Sequence, residues 1–408
     1  MSTVADYFKG NLRQYGILGA LIIIFVFFSI VSGGRLLNPD NIAALSQQVA
    51  YVAVLAIGMV SVIIAGHIDL SVGSVAAFIG AVMGKVMHGF NWPWPLAVAT
   101  GIAVGVAVGA WHGLWVAIAR IPAFIVTLSS MLLFRGLATV ALGSMTLGGF
   151  SQGFINISGA GLPKAFGTVP IGASFLPAAW HGQADVFTMG IGALAIAGLI
   201  VMTIRSRAAE RKHGLTPAPL TITVLRLVLL SLVIAFFAFL LSLARIGTPI
   251  VLIIVAVLIV VYAFVQNRTV YGRNVYAIGG NLNAAILSGV NTRRVNFAIF
   301  INMGFLCAIC AIIVTSRMGA ATPTLGLGYE LEAIAACFIG GAAVTGGVGK
   351  VAGALTGALI MGLLTMGLSI LGVNVSWQSV IKGLVLLAAV VVDLSSKRRA
   401  VLSAVGQR

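Results

Sequence analysis

The feature that most constrains this chain is a run of apolar residues, nearly free of charge, that recurs from one end to the other. Such runs occupy roughly residues 17–31, 45–65, 72–90, 95–119, 122–142, 184–204, 220–243, 248–266, 295–316, 330–345, 351–371 and 377–393. A helix of about 20 apolar residues crosses the hydrocarbon core of a bilayer, at about 1.5 Å per residue. Lipid offers no hydrogen bonds, and a helix satisfies its backbone internally. The expected fold class is therefore an all-α polytopic membrane protein with about 12 transmembrane helices, some of them broken or re-entrant. The runs at 17–31 and 330–345 are the shortest, and the latter is the candidate for a broken helix.

Only 8% of the 408 residues are charged and 60% are hydrophobic, against about 25% charged in an ordinary soluble domain. Such a chain cannot cover its surface with polar groups, so its solvent is the lipid bilayer. The first run follows Lys9 and Arg13, leads into Ser32-Gly33-Gly34-Arg35, and is followed by a second long run. It reads as a retained first helix and not as a cleaved leader.

Lys and Arg number 24 against 8 Asp and Glu, a net charge of +16. In a soluble protein this would suggest nucleic acid. Here the bases lie mostly between apolar runs and read as topology, so no nucleic-acid partner is expected. An even number of spans puts both termini on one side. With that side cytoplasmic, inner segments hold Lys9, Arg13, Arg120, Arg205, Arg207, Arg211, Lys212, Arg268, Arg273, Arg293, Arg294, Lys350, Lys397, Arg398, Arg399 and Arg408. Outer segments hold only Arg35, Lys164, Arg245 and Arg317. Cytoplasmic loops carry the excess of Lys and Arg, which supports this orientation. The organisation expected is a single permeation domain over residues 1–408, an external segment at 143–183, a cytoplasmic loop at 205–219, and a cytoplasmic loop at 267–294. Lys85, Arg135, Arg226 and Lys382 remain within spans, where a cation must snorkel or face protein or water.

Three constellations stand out. In Ala65-Gly-His-Ile-Asp-Leu-Ser-Val-Gly-Ser74, two runs meet with hardly a loop. Asp69, Ser71 and Ser74 there can cap a helix break or line a pathway, and capping is the favoured reading. In the segment 271–290, Asn281 can start a short helix that Gly289 ends. Leu282, Ala285 and Ile286 share one side of it, and Arg273, Arg293 and Arg294 flank it. A short helix of this kind suits insertion into a partner's groove. Gly279-Gly280 lacks a nucleotide-binding fingerprint. In Gly328-Tyr-Glu-Leu-Glu-Ala-Ile-Ala-Ala336, Glu330 and Glu332 complement a helix N-terminus. The sharper alternative makes them a pathway mouth that hydrogen-bonds hydroxyls.

Gly101, Gly105, Gly109 and Gly113 form one stripe of small residues, and Gly349, Gly353 and Gly357 another. Both suit close helix packing within the chain, with a contact between copies as the lesser alternative. Ser71-Val-Gly-Ser-Val-Ala76 and Gly347-Val-Gly-Lys-Val-Ala352 hint at an internal repeat. Cys307 and Cys310 read as small core residues. His67, His88, His112, His181 and His213 are scattered. No metal site, catalytic set or Walker A sequence is present, so an enzyme is not expected, nor any cofactor in this chain. Energy for uphill transport would come from another subunit.

Four stretches together resemble a known family. They are His67-Ile-Asp-Leu-Ser-Val-Gly-Ser74; Ile121-Pro-Ala-Phe-Ile-Val-Thr-Leu128; Ala277-Ile-Gly-Gly-Asn281 with Ala284, Ala285, Ser288 and Gly289; and Tyr329-Glu-Leu-Glu-Ala-Ile-Ala-Ala336. In order and spacing they resemble the permease subunits of bacterial ATP-binding-cassette sugar importers of the ribose/xylose class, most like the xylose and multiple-monosaccharide permeases. The spans between Ala184 and Leu243 are similar to the longer members. The resemblance implies a homodimer of two permease copies in the bacterial inner membrane. A cytoplasmic ATPase binding ATP and Mg would dock on Gly279, Gly280, Asn281, Leu282, Ala284, Ala285, Ile286, Ser288 and Gly289. A periplasmic sugar-binding protein would deliver a monosaccharide such as xylose, arabinose, glucose or galactose. His67 and His112 depart from the residues many relatives carry. Alternatives are the same architecture carrying branched-chain amino acids or a signalling furanoside, a self-sufficient secondary transporter, and a membrane enzyme acting on a lipid-linked substrate.

Overall fold

A computed structural model describes residues 12–172, 177–214 and 219–405. Lys9 and Arg408, residues 173–176 of the expected external segment and residues 215–218 of the loop at 205–219 lie outside the described residues. The described chain is predominantly helical. Its elements in order are α1 (Leu12–Val31), α2 (Pro39–Ile64), α3 (Val72–Gly89), α4 (Trp94–Gly113), α5 (Ala123–Leu142), β1 (Leu147–Gly148), α6 (Gln152–Gly159), β2 (Thr168–Ile171), β3 (Gly182–Asp185), α7 (Val186–Lys212), α8 (Leu220–Leu243) and α9 (Ile250–Arg268). Then follow α10 (Val270–Gly280), α11 (Leu282–Leu287), α12 (Thr292–Met318), β4 (Ala320–Ala321), α13 (Tyr329–Ile339), α14 (Val351–Ile370) and α15 (Val375–Val405). Two very small antiparallel sheets, β1 with β4 and β2 with β3, are the departure from an all-helical chain.

Among the described residues, nine helices are long and apolar enough to cross a membrane: α2, α3, α4 with its π-helical extension Leu114–Ile118, α5, α7, α8, α9, α12 and α14. Gly16–Val31 and Val375–Val391 are shorter apolar helical stretches. The run expected at 330–345 is not one continuous spanning helix, in keeping with its reading as a broken one. Its helix, α13, has 11 residues and so rises about 16 Å, half of the roughly 30 Å of hydrocarbon. It stops at Gly340, and the chain then turns through Gly341, Gly346 and Gly347, all at positive φ.

Two compact units are distinguishable. Among the described residues, the first comprises Leu12, Phe28–Ser46 and residues 160–172, 177–214 and 219–250. In it the β2–β3 hairpin leads into α7, whose first turn is capped by the Asp185 carboxylate. That carboxylate accepts from the backbone N–H of Phe187 (3.2 Å) and Thr188 (3.1 Å). The helices α7 and α8 pack at Gly192, where a Cβ would lie 2.5 Å from that of Ala238. Arg245 binds Asp40 through both its backbone N–H and its guanidinium.

Among the described residues, the second unit comprises Arg13–Phe27, Gln47–Gly159 and residues 251–405. Its core is built on α2 and α12, whose side chains from Val52 to Ile64 and from Met303 to Ser316 are almost all buried. The glycine stripe of α4 lies on α12. A Cβ at Gly105 would sit 2.5 Å from the Gly304 carbonyl oxygen, and one at Gly109 would sit 2.4 Å from that of Phe300. The other stripe is likewise used within the chain. A Cβ at Gly353 would lie 2.1 Å from the Gly340 carbonyl oxygen, and one at Gly357 would lie 1.9 Å from that of Ala336. Backbones this close need residues without side chains. Cys307 and Cys310 are buried in α12 as core residues.

Candidate functional site

Non-helical backbone at membrane depth is tolerated only where protein or trapped water satisfies it. Two non-helical segments of the second unit join its helices; the first falls within a constellation singled out in the sequence, and the second ends where another begins. The first is residues 65–71, between α2 and α3. It leaves α2 through Gly66, at φ +83°. Asp69 is 1% exposed, and its Oδ1 accepts from the Ser71 N–H at 2.8 Å and the Ser71 hydroxyl at 2.6 Å. Asp69 therefore holds the turn into α3. Ser71 occupies the cap position but makes no side-chain cap bond, because its hydroxyl points back to Asp69. Ser74 is buried in the first turn of α3. Thr127, from α5, donates its hydroxyl to the Ile68 carbonyl at 3.2 Å.

The second interruption is the segment 319–328, between α12 and α13. Arg135 explains its presence in a span here. It lies 12 residues into α5, about 18 Å along the helix, and its guanidinium donates to the carbonyls of Pro323 (2.9 Å) and Leu325 (2.6 Å). The two interruptions meet at a pair of glycines. A Cβ at Gly73 would lie 2.1 Å from the Gly326 carbonyl oxygen and 2.5 Å from Glu330 Oε2. The starts of α3 and α13 are thereby brought together, with the Glu330 carboxylate at their junction.

Glu330 and Glu332 occupy the first turn of α13, as expected, but their surroundings differ. Glu330 Oε2 is buried without a hydrogen-bond partner among the described residues. Glu332 is fully engaged. Its Oε2 accepts from the Tyr51 hydroxyl at 2.6 Å, and its Oε1 pairs with Lys382 Nζ at 2.5 Å. Tyr51 in turn stacks on Tyr329, with ring centroids 4.2 Å apart. Sequence reasoning noted Arg135 and Lys382 as cations within spans but had no partner for either, and it missed Tyr51. Beside the first interruption, His67 and His112 both approach the Phe300 ring, at 5.9 and 6.1 Å. The Nε2 atoms of both histidines and Oδ1 of Asn296 are buried without a partner among the described residues.

The segment 267–294 forms α10 and α11. The short helix is the one expected: the Asn281 side chain accepts from the Ala284 N–H at 3.0 Å, Ser288 closes it, and Gly289 turns away at φ +81°. The face is not the one expected. Ala285 is only 4% exposed, whereas Leu282, Ile286 and above all Leu287, at 89%, face outward. At 100° per residue, positions 285 and 287 lie on nearly opposite sides of a helix. Ala285 is thus an internal contact, and the outward tip is Leu287.

The pair Gly279 and Gly280 also divides. A Cβ at Gly279 would fall 1.6 Å from the Ile64 carbonyl oxygen and 2.7 Å from the Gly347 N–H nitrogen, whereas one at Gly280 would meet nothing within 4 Å. Gly347 N–H itself donates to the Ile64 carbonyl at 2.8 Å. The Tyr276 hydroxyl donates to the Gly349 carbonyl at 2.7 Å. Burial pushes that hydroxyl's pKa up, which keeps the donor proton in place. The end of α10 is therefore fastened to the end of α2 and to the turn before α14. Beside it lies a cavity of about 570 Å³, lined by His67, Arg120, Leu282, Ile286, Arg293 and Asn296 among others.

Residues 41–390 match the family described as branched-chain amino acid transport system / permease component. The chain is 38% identical to the xylose transport system permease protein XylH of Escherichia coli (strain K12), over 95% of this chain and 93% of that one. It is 37% identical to the xylose permease XylH of Haemophilus influenzae, over 95% and 98% of the two chains. It is 32% identical to the ribose import permease protein RbsC of Bacillus subtilis, over 95% and 94%. No solved structure matches the chain.

Proposed function

The chain belongs to the branched-chain amino acid transport system permease component family, and from that premise we propose that it is the membrane-spanning subunit of a bacterial ATP-binding-cassette importer for monosaccharides. The observation that carries this reading is full-length similarity to sugar permeases, greater to those for xylose than to those for ribose. Xylose or a related aldose such as arabinose, glucose or galactose is the cargo. The location is the inner membrane, crossed many times, with both termini cytoplasmic.

The permease contributes a path and not a reaction. ATP and Mg are bound by a separate cytoplasmic ATPase. A periplasmic binding protein delivers the sugar, and two permease copies enclose the route. Orientation is supported by the bases: Arg268, Arg273, Arg293, Arg294 and Lys350 all lie at or next to the ends that meet α10 and α11. The segment 267–294 is then the cytoplasmic ATPase-coupling loop, and 143–183 is periplasmic. Leu287, with Leu282 and Ile286, enters the ATPase groove. Asn281, Ala284, Ser288 and Gly289 shape the helix, and Gly279 and Tyr276 transmit its displacement to Ile64 and to the turn at 346–349. Each of these lies next to an interrupted helix, so ATP-driven movement of α11 is delivered where the membrane backbone is least regular. Asp69, Ser71, Ser74, Glu330 and Glu332 hold those interruptions.

The family description names branched-chain amino acids, which makes them the second cargo to test. Sealed vesicles containing this chain, its genomically adjacent ATPase and the cognate binding protein should take up xylose or a related aldose. Uptake should require all three proteins and ATP on the cytoplasmic side. Uptake of leucine in place of sugar would transfer the assignment to the amino-acid class. Sugar movement by this chain alone would make it a secondary transporter.

A further inference from the structure

A second cavity, of about 310 Å³, lies at the other end of the core helices, lined by Gln47, Gln48 and Tyr51 of α2, Arg317 at the end of α12, and Tyr329 at the start of α13. Along α2, Tyr51 is 13 residues from Ile64, or about 20 Å, so this cavity is remote from the α10–α11 end. Its wall carries the stacked pair Tyr51 and Tyr329. The Glu332–Lys382 ion pair fixes the Tyr51 hydroxyl and with it the ring.

The polar groups are in surplus over their internal partners. Gln47 donates its amide to the Ser158 carbonyl at 2.9 Å, which leaves its own carbonyl oxygen to accept. Gln48, the Tyr329 hydroxyl and the Arg317 guanidinium make no hydrogen bond or ion pair among the described residues. Arg317 is partly buried, and so is Gln48. No Arg317 nitrogen is both buried and unpartnered, so the guanidinium is open from the cavity to water or to a ligand, with donors to spare.

We infer that this cavity is a low-affinity monosaccharide subsite in which the Tyr51–Tyr329 pair supports the apolar face of the sugar ring and Gln47, Gln48, Tyr329 and Arg317 bind its hydroxyls. The inference rests on the sugar-importer reading and names a site for it. Carboxamides and a phenol both donate and accept, as sugar hydroxyls do. One cation among neutral amides, beside an ion pair already closed, is a poor match for a phosphate and a good one for a neutral polyol. The volume is at the small end for ligand pockets, which suits a single ring. A site that hydrogen-bonds a hydroxyl rejects an analogue lacking or inverting it, because its own polar groups are then left unpaired.

The test uses the complete importer in sealed vesicles, with competing uptake of xylose, arabinose and glucose. Gln48→Leu and Tyr329→Phe each remove hydrogen bonds while keeping bulk. Either should change the ratio of xylose to arabinose uptake by about 2- to 10-fold, as expected for one hydrogen bond. ATPase stimulation by the loaded binding protein reports that the variants still assemble. A second measurement needs neither partner. Gln48→Cys, in membranes holding the permease alone, should be alkylated more slowly in excess xylose than in excess leucine; the native cysteines are buried. Unchanged ratios in assembled variants, or no protection by sugar, overturns the subsite while leaving the transport reading intact. No uptake of any sugar by the wild-type assembly overturns the transport reading itself.

Discussion

Asp69 and Arg135 are charges that a bilayer disfavours, and each is held where a helix has been interrupted. Asp69 spends one oxygen on the backbone N–H and hydroxyl of Ser71, and Arg135 supplies the hydrogen bonds that the carbonyls of Pro323 and Leu325 cannot find in a helix. Removing such a group leaves its buried partner unsatisfied, at about 1–3 kcal/mol. Asp69→Ala should therefore lower the thermal stability of the purified permease by about that amount and leave the ranking of transported sugars unchanged. A variant of normal stability with altered ranking would move Asp69 from the frame to the pathway. Gly279 and Gly280 offer a sharper contrast, because they are neighbours with opposite surroundings. A methyl group at Gly279 runs into the Ile64 carbonyl, whereas one at Gly280 enters open space. Gly279→Ala should destabilise by about 1–3 kcal/mol or more, and Gly280→Ala should stay within about 0.5 kcal/mol of wild type. Equal unfolding temperatures for the two would mean that α10 is not fastened to α2 as described.

Hydropathy located the spans because it is a local property, but it marks where lipid ends and not where a helix ends. Accordingly α7 runs on to Lys212 through Arg205, Arg207 and Arg211, beyond the apolar run that ends near 204. Length alone marked the run at 330–345 as the candidate for a broken helix, and α13, at 11 residues, is too short to cross by itself. What the segment does was illegible, since its partners are distant in the chain: Tyr51 is 281 residues from Glu332, and Arg135 is 188 from Pro323. The caps of α11 could be read from Asn281 and Gly289, but its face could not. Six residues make fewer than two turns, too few for a period to declare which side is buried. Two substitutions separate the faces. Leu287→Asp should abolish co-purification of the ATPase without altering the permease's unfolding temperature, because the side chain is exposed. Ala285→Arg places a charge inside the protein and should lower permease stability by about 3 kcal/mol or more. Retained ATPase binding by the Leu287 variant would remove α11 from the coupling role.

The proposed pairing of two copies would have to use surface that one copy leaves free, and this bears on the glycine stripes. In the sequence, Gly101, Gly105, Gly109 and Gly113 are equally suited to a neighbour within the chain or in a second copy, since close packing has the same signature in both. In the fold the stripe is already occupied: Gly109 faces the Phe300 carbonyl, and a Cβ at Gly304 would reciprocally lie 2.1 Å from the Gly105 carbonyl oxygen. The stripe of Gly353 and Gly357 is occupied by α13 in the same way. A bulky residue in either stripe should then act on the protomer first. Gly109→Leu should lower the unfolding temperature in detergent, with an overpacking cost of about 1–3 kcal/mol or more. The molecules that remain folded should keep the wild-type ratio of permease copies to ATPase by native mass spectrometry. The contrary result is equally readable. A Gly109 variant that unfolds at the wild-type temperature yet runs as single copies would place the stripe between protomers. The α4–α12 contact would then not be the one that holds the core, and the link from α11 through Ile64 to the interrupted helices would need a different frame to act against.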